Sequence, residues 1–400
     1  MLRKGLPLEA AIAGATRDVE RPEDRALAHA IAAEALRRLT DLDALIDSAT
    51  AKALPPDAKA RFALRIALVQ ALSLGTPPHA AIATVLPLVD GGPRRLVHGV
   101  FGALMRREAV LADIPGLPAS VTARWTEAWG GEVVAAAARL LAAPPPTDLS
   151  LARAQGAELP AGTALLPCHL RLERGTAVAG LSGYGEGNWW VQDIAASMPA
   201  RLLGDGSGRT ALDLCAAPGG KTMQLAAAGF DVTAVDLSES RLRRLRDNLD
   251  RTRLPARIVT ADMLKWVPPQ PVDAILLDAP CSATGIFRRH PDVLYRVTPR
   301  TIGEAAALQA RLLDRAADWL KPGGRLVYSV CSLEPAEGEA VVGDFLERRS
   351  DCRLVPVTPE ESHPDMPPQS GFLRVVPGML EAVGGADGFF MARFERVAAQ

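Results

Sequence analysis

The sequence predicts a multidomain protein with an all-helical N-terminal part, a small α/β segment and a doubly wound parallel α/β unit. Apolar residues recur at helical spacing from about residue 8 to 140, and a proline-rich run follows at 142–147. Strands alternate with helices from residue 210 onward, as in parallel sheets. We therefore predict domains at 1–141, 148–205 and 206–400.

The N-terminal part has the apolar periodicity of packed helices. Leu64, Leu68 and Leu72 recur on one helix face, and Leu27 and Ile31 do so earlier in the chain. Turn residues at 54–57, 75–78 and 90–93 divide the region into helices of ordinary length, the last of which we expect to end near Arg106–Arg107. The run at 142–147 predicts a linker.

The C-terminal part contains short apolar runs bounded by turn residues. We expect strands at 211–215, 232–236, 257–262, 272–278 and 325–329, and helices after Gly220 and at about 241–249, 301–320 and 337–348. Extended segments at 372–376 and 389–394 could complete the sheet with an antiparallel edge.

Composition limits the classes of function. Lys and Arg number 45 and Asp and Glu 46, so the formal net charge of −1 gives no general signature of a nucleic-acid binder. The 5 cysteines form no C-x-x-C pair, which argues against a disulfide framework and a zinc site, and we expect no metal. No stretch approaches the about 20 apolar residues of a membrane span. We expect a monomeric cytoplasmic protein.

Small residues and acids follow the predicted strands, where open α/β sheets bind their ligands. Asp236 is suited to ribose hydroxyls, Asp262 to an adenine edge, and Asp278 ends the next strand. The first strand runs into a small-residue turn that opens a helix and lets a ligand approach the backbone. This loop comprises Cys215, Ala216, Ala217, Pro218, Gly219, Gly220 and Lys221. The pattern indicates an adenosine-containing cofactor.

Three other interpretations of this loop compete. A P-loop would require glycine at the position where this sequence has Cys215. A dinucleotide site would require G-x-G-x-x-G directly after the first strand, and that motif is absent there. A purely structural turn, with the acids acting as helix caps, is the remaining alternative.

Two cysteines fall just beyond predicted strands at the same edge of the sheet. Cys281 stands in Asp278-Ala279-Pro280-Cys281-Ser282, and Cys331 follows Tyr328-Ser329-Val330. A lone cysteine is usually a small core residue, but two at a ligand-binding edge favour a chemical role. Cys168 and Cys352 are interpreted as structural.

In order, these motifs resemble those of the NOL/NOP/Sun family of S-adenosylmethionine-dependent RNA (cytosine-5) methyltransferases. The N-terminal region resembles the NusB-type fold that precedes the catalytic unit in the bacterial Sun/Fmu subgroup. The resemblance implies a Rossmann-like class I methyltransferase domain, a helical RNA-binding domain, S-adenosylmethionine as cofactor and cytosine in 16S rRNA as substrate. Ala336 and Gly338 depart from the family pattern, in which many members carry an acid and an Asn.

The resemblance also implies residue roles, which the sequence alone leaves open. Cys331 is the expected nucleophile on cytosine C6, and Cys281 assists product release, whereas DNA cytosine-5 methyltransferases use the Pro-Cys cysteine as nucleophile. Asp278 is expected to contact the N3/N4 edge of cytosine, and Lys221 to contact the same site.

RNA contacts are expected from local positive charge beside the Pro-Cys loop, at Arg288, Arg289 and His290. The target base must be unpaired or flipped out, which favours unassembled or partly assembled 16S rRNA as the partner. A tRNA substrate, or a catalytically inert RNA-binding assembly factor, remain the alternatives.

Overall fold

The structure is a computed structural model that describes residues 2–3, 5–152, 159–178 and 180–397. The first residue of the predicted range 1–141 and the last residue of the predicted range 206–400 lie outside the described residues. The chain divides into two compact units. The first extends to Ala143 and also includes Phe287–Arg296; the second comprises the chain from Pro144 to Ile286 and from Val297 onward. Because the predicted segments 148–205 and 206–400 both lie mainly in the second unit, the boundary between them stays a prediction.

The first unit is helical. Its core is formed by apolar residues from successive helices, with Leu42, Leu64, Leu68 and Val97 completely buried. In contrast, Leu27 is 56% exposed although the pattern predicts an apolar face there. The helices are α1 (Leu8–Ala15), α2 (Pro22–Arg37), α3 (Leu39–Ser48), α4 (Lys59–Leu72), α5 (Pro78–Val85), α6 (Gly91–Arg106), α7 (Ala119–Trp129) and α8 (Gly131–Leu141).

The expected end of a helix at Arg106 is confirmed, but helices α7 and α8 correct the prediction that it is the last. Pro118 directly precedes α7, and Gly130, in a positive-φ conformation, separates α7 from α8. Proline before the first turn and glycine at a helix end are ordinary boundary signals. Both helices bury apolar side chains, Trp125 in α7 and Leu141 in α8.

The second unit opens with a small antiparallel sheet in the order β2-β1-β3, from β1 (Asp148–Leu151), β2 (His169–Arg171) and β3 (Trp189–Val191). Its buried charge is paired, because Nε and Nη2 of Arg171 each donate to Asp148 at 2.7 Å. Desolvation raises the pKa of Asp148, but the bonds from Arg171 and the nearby ring of His169 outweigh it and hold that pKa well below its usual range. Asp148 also accepts from the backbone N of Ile194 and so ties the sheet to the following helix.

A second sheet of eight strands, counted within the described residues, forms the body of this unit. The strands are β4 (Thr210–Leu214), β5 (Asp231–Asp236), β6 (Arg257–Thr260), β7 (Val272–Asp278), β8 (Leu320–Val330), β9 (Cys352–Leu354), β10 (Leu373–Val375) and β11 (Phe389–Arg396). Their order is β10-β11-β8-β7-β4-β5-β6, with β9 paired to β11. Strands β8, β7, β4, β5 and β6 are parallel, and β11 is antiparallel to β8, as the sequence predicts.

Helices cover this sheet because the strands are apolar on both faces. In β7, Ile275 and Leu277 pack in one core cluster, whereas Ala274 and Leu276 pack in another. The helices are α9 (Ile194–Arg201), α10 (Gly220–Ala227), α11 (Glu239–Thr252), α13 (Pro299–Asp318) and α14 (Glu339–Arg348), while α12 (Val293–Arg296) belongs to the helical unit. Among the described residues, no helix combines the length and hydropathy needed to cross a membrane.

Candidate active site

The predicted site residues lie where parallel strands end. Asp236 and Asp278 are the last residues of β5 and β7, and Cys331 directly follows β8. Strands β8, β7, β4 and β5 lie side by side and are parallel, so their carboxyl ends lie at one edge of the sheet. Asp213, near the end of β4, adds a third acid at this edge.

The loop after β4 depends on small residues. Cys215 and Gly219 both have positive φ, +62° and +106°, and Gly219 caps the start of α10. A Cβ atom at Gly219 would lie 2.9 Å from Cγ of Leu245, so glycine is required by space as well as by conformation. Burial raises the pKa of the Cys215 thiol to about 12, so that this cysteine lines the loop without being a nucleophile.

Asp236 ties this loop to β5. It is 4% exposed, and its Oδ2 accepts from the backbone N of Ala217 at 3.1 Å and from Nη2 of Arg241 at 3.0 Å. Oδ1 accepts from the backbone N of Ser238 at 2.9 Å. A carboxylate oxygen has two acceptor positions, so Oδ1 keeps one for a hydroxyl donor.

Asp213 lies behind the loop and is completely buried. Thr222 Oγ1 donates to its Oδ2 at 2.5 Å, whereas Oδ1 has no hydrogen-bond partner among the described residues. Burial raises the pKa of Asp213 to about 7. An unpartnered buried acceptor beside a small-residue loop fits a ligand that carries hydrogen-bond donors.

The two predicted cysteines meet at this edge. The Sγ atoms of Cys281 and Cys331 lie 3.4 Å apart, although the residues are far apart in sequence. Both are half-buried free thiols. The hydrogen bond with Cys331, together with burial, raises the pKa of the Cys281 thiol well above its ordinary value, so Cys281 keeps its proton.

An ion pair lies in the same part of the unit. Lys221 Nζ lies 2.7 Å from Asp278 Oδ2, and Ser329 Oγ donates to Asp278 Oδ1 at 2.8 Å. Burial opposes the charge on Lys221, but Asp278 outweighs it and raises the pKa of the ammonium group, which stays charged. Nζ also lies 5.3 Å from the ring centre of Phe389, a cation–π contact.

Asp262 lies just beyond β6, the edge strand next to β5. Its Oδ1 accepts from the backbone N of Leu264 at 3.0 Å, and its side chain is 36% exposed. The structure therefore leaves Asp262 accessible beside β5, as an adenine contact requires.

Arg288, Arg289 and His290 lie in the segment that belongs to the helical unit. Arg288 is only 1% exposed, and its carbonyl accepts from Nη2 of Arg37 at 2.6 Å. This corrects the prediction for Arg288, because a buried guanidinium cannot reach an RNA phosphate. Arg289 and His290 are half-buried, and their RNA contacts stay predictions.

Sequence reasoning missed a buried carboxylate beside the thiols. Glu337 is completely buried and accepts hydrogen bonds from Ser282, Ser332 and Gln309. The available signal was the repeated Cys-Ser dipeptide, at Cys281–Ser282 and Cys331–Ser332, since a serine after each cysteine offers two equivalent donors.

Comparison with known proteins identifies the family. Residues 200–395 match the family described as 16S rRNA methyltransferase RsmB/F, and residues 2–102 match the NusB family. The ribosomal RNA small subunit methyltransferase B of Xanthomonas campestris is 34% identical over 387 residues, which cover 90% of this chain and 88% of that protein. The chain belongs to the RsmB/F family.

Another relative matches only part of the chain. The Salmonella arizonae protein of the same description is 44% identical over 232 residues, which span 57% of this chain and only 51% of that protein. The crystal structure of PH0851 superposes with a TM-score of 0.74 at 22% identity, covering 96% of this chain and 93% of that one, and therefore supports the fold alone. The RsmB/F match includes every strand of the eight-stranded sheet except the last residue of β11.

Membership of the RsmB/F family makes S-adenosylmethionine the methyl donor, and the site fits it. The unpartnered Oδ1 of Asp213 and the remaining acceptor position of Asp236 suit a ligand with amino and hydroxyl donors. No group of three or more potential metal ligands occurs among the described residues.

Proposed function

We propose that the protein methylates C5 of cytosine in 16S rRNA through a transient covalent bond between Cys331 and C6 of the base. The observation that carries the proposal is the pair of free thiols 3.4 Å apart, in the unit that also contains the Lys221–Asp278 ion pair. One thiol is sufficient for addition to C6; a second at hydrogen-bond distance supplies a group for another step.

Cytosine C5 is a weak nucleophile, so a thiolate first adds to C6 and moves electron density to C5. Asp278, held by Lys221 and Ser329, is suited to accept from the amino group at the N3/N4 edge of the base, and the charged ammonium group of Lys221 is suited to stabilise the negative charge of the adduct. S-adenosylmethionine, when bound, supplies an electrophilic methyl group. Cys215–Gly220, Asp236, Asp262 and Asp278 are the residues that we propose to hold it.

Release requires loss of the C5 proton and cleavage of the bond between Cys331 Sγ and C6. We assign assistance in this step to Cys281, whose thiol keeps its proton beside Cys331. A protonated neighbour can donate to the departing sulfur, and the C5 proton passes to Cys281 as that residue gives up its own, so that the C5–C6 double bond re-forms and both thiols end protonated.

We propose that the helical unit contributes RNA binding. Helix α6 and the residue after it present five exposed basic side chains, Arg94, Arg95, His98, Arg106 and Arg107. One of them, His98, lines a pocket of about 200 Å³ together with His79, Phe101 and other residues. Such a surface suits the phosphates and an unpaired base of single-stranded RNA.

We further propose a monomer that acts in the cytoplasm on unassembled or partly assembled 16S rRNA. The cytosolic thiol pool would keep Cys281 and Cys331 reduced, and the reaction needs an accessible base face that a finished subunit would cover. Comparing methyl incorporation into 16S rRNA and into tRNA distinguishes this proposal from the alternative of a tRNA substrate.

The decisive experiment traps the protein–RNA adduct on denaturing gels, with unmodified 16S rRNA and S-adenosylmethionine. We expect adduct to accumulate with Cys281→Ala, and neither adduct nor methyl transfer with Cys331→Ala. Cys168→Ala serves as the matched control, because this half-buried free cysteine is far in sequence from the thiol pair and should leave both readouts unchanged. The reverse pattern for Cys281 and Cys331 would exchange their roles, and adduct in neither variant would refute the covalent mechanism on this RNA.

A further inference from the structure

One buried carboxylate connects the two cysteine loops. Glu337 has no exposed surface, and its Oε1 accepts from the backbone N of Ser282 at 2.8 Å and from Nε2 of Gln309 at 3.0 Å. Its Oε2 accepts from Ser332 Oγ at 2.6 Å and also from Ser282 Oγ. The carboxylate thereby has a donor at each of its four acceptor positions.

The two serines are the residues directly after the two cysteines. Ser282 follows Cys281 in the loop after β7, and Ser332 follows Cys331 in the loop after β8. A displacement of either loop therefore breaks a hydrogen bond to the same carboxylate. This arrangement couples the position of one thiol to that of the other.

Further contacts brace the carboxylate itself. Gln309 Nε2 also donates to the carbonyl of Pro280 at 2.9 Å, on the other side of Cys281. The hydroxyl of Tyr328 donates to the carbonyl of Glu337 at 2.6 Å, and its oxygen lies 3.1 Å from Oε1 of Gln309. Helix α13 and strand β8 thus hold Glu337 in place.

Glu337 is not available to act on the base directly, because it is completely buried and protein donors already occupy all of its acceptor positions. Fold stability alone is a weak reason to bury it, since apolar side chains of similar volume commonly stabilise a core as well or better. A fully satisfied polar network does fix a unique local geometry, and here that geometry is the separation of two thiols.

We propose that Glu337 is a positioning residue that holds the thiols of Cys281 and Cys331 at hydrogen-bond distance for covalent catalysis. The inference rests on the proposed function only in assigning both thiols to one reaction; their proximity is measurable without RNA. In catalysis, this positioning keeps the proton of Cys281 beside the sulfur that must leave C6. Loosening the network should therefore slow release of the RNA.

The test measures how readily the two thiols form a disulfide. Diamide takes up the two thiol hydrogens, and the sulfurs must approach to about 2.05 Å, so the rate reports their proximity. The disulfide is quantified by mass spectrometry in the full-length protein without RNA. Glu337→Ala removes every side-chain acceptor, and we expect about a tenfold slower reaction, the equivalent of one lost hydrogen-bond free energy.

Glu337→Gln separates hydrogen bonding from charge. The amide oxygen can accept from Ser282 N and Gln309, while the amide NH₂ donates to the two serine hydroxyls, which rotate to accept. We expect the rate of disulfide formation to stay within about twofold of wild type. Ser197→Ala, which removes another completely buried hydroxyl of the second unit, is the matched control and should leave the rate unchanged.

A second readout links the network to turnover. With 16S rRNA and S-adenosylmethionine, we expect Glu337→Ala to show a larger ratio of trapped adduct to released product than wild type, and Glu337→Gln to restore that ratio. A general loss of stability would instead lower adduct and product together. If neither wild type nor Cys281→Ala forms adduct or methylated RNA, the proposed function fails while the thiol-proximity result still stands.

The proposal is overturned if folded Glu337→Ala forms the disulfide at the wild-type rate, or if Glu337→Gln is as slow as Glu337→Ala. Thermal unfolding and S-adenosylmethionine binding establish whether each variant is folded. Should Glu337→Ala not fold, Ser282→Ala and Ser332→Ala each remove one donor, with an expected slowing of about threefold. Wild-type rates in both serine variants would equally overturn it.

Discussion

The chain after β7 has two consecutive parts that use polar side chains differently. In Cys281–Ile286, Ser282 and Thr284 form hydrogen bonds around the buried Glu337 and Ser332 beside the thiols. In Phe287–Arg296, polar groups stabilise the helical unit: Arg37 donates to the carbonyl of Arg288, and Arg296 pairs with Asp292 at 2.9 Å. Neighbouring positions in sequence therefore belong to different units, and a cation next to a catalytic loop in sequence is not thereby part of the site.

The largest expected effect is a loss of stability and activity on disrupting the first part, Cys281–Ile286. A Cβ at Gly285 would lie 1.9 Å from the carbonyl oxygen of Gly388. The backbone N of Gly285 also donates a hydrogen bond to the carbonyl of Cys331 at 3.0 Å. We expect Gly285→Ala to destabilise the second unit by about 3 kcal/mol through overpacking and to abolish methyl transfer. Urea unfolding and methyl incorporation measure the two effects.

The control is Gly303→Ala in α13, where a Cβ meets nothing within 4 Å. It should stabilise the protein by about 0.5–1 kcal/mol, because alanine favours helix more than glycine does. Normal activity in Gly285→Ala would contradict the close approach of the two loops.

A smaller effect separates chemistry from packing within strand β7. Asp278→Asn removes the charge that pairs with Lys221, and we expect methyl transfer to fall by about 100-fold with the fold retained. Asp273→Asn is the matched control, since Asp273 is the second residue of the same strand and pairs with Lys321 at 2.8 Å. Equal losses of activity in both variants would refute a specific role for Asp278.

The second part is tested through Arg288 and Arg289. Because Arg288 is buried, we expect Arg288→Leu to lower the free energy of unfolding by about 2 kcal/mol while the salt dependence of RNA binding stays unchanged. For Arg289→Gln, we expect the logarithmic slope of RNA affinity against salt to decrease by about 1. Filter binding at several salt concentrations checks both, and a reduced slope in Arg288→Leu would show that this side chain does reach RNA.

The last expected effect is a change with pH and concerns the buried acid of the cofactor loop. The folded state binds the proton of Asp213 more tightly than the unfolded state, because the pKa is raised to about 7. The stability that this group contributes is therefore complete below its unfolded pKa and declines as pH rises toward 7. We expect wild type to lose free energy of unfolding relative to Asp213→Asn between pH 5 and about 7. A difference that does not change with pH, measured by urea unfolding, would contradict the shift.

Much of the second unit could be predicted because its signals are local. Strand β7 has the predicted bounds, and Asp236, Asp278 and Cys331 follow from the rule that parallel strands end at one edge. The sequence analysis extends the helical part to about residue 140 but assigns no individual helix after Arg107, so helices α7 and α8 were missed as separate elements.

What could not be predicted depends on contacts between distant positions. Glu337 gathers donors from positions 282, 309 and 332, which no sequence period relates. Arg288 is polar and adjacent to the Pro-Cys loop, and only its packing in the helical unit assigns it to the interior.

The contacts of Gly388 and Phe389 have a consequence for protein synthesis. Gly388 N holds the carbonyl of Gly285, and the ring of Phe389 lies under the ammonium group of Lys221. A nascent chain that has already emerged with β4, β7 and both thiols still lacks these supports until β11 leaves the ribosomal exit tunnel. We therefore expect the site to become active only after β11 has been translated and has left the exit tunnel. An incomplete chain still attached to its ribosome should not methylate RNA.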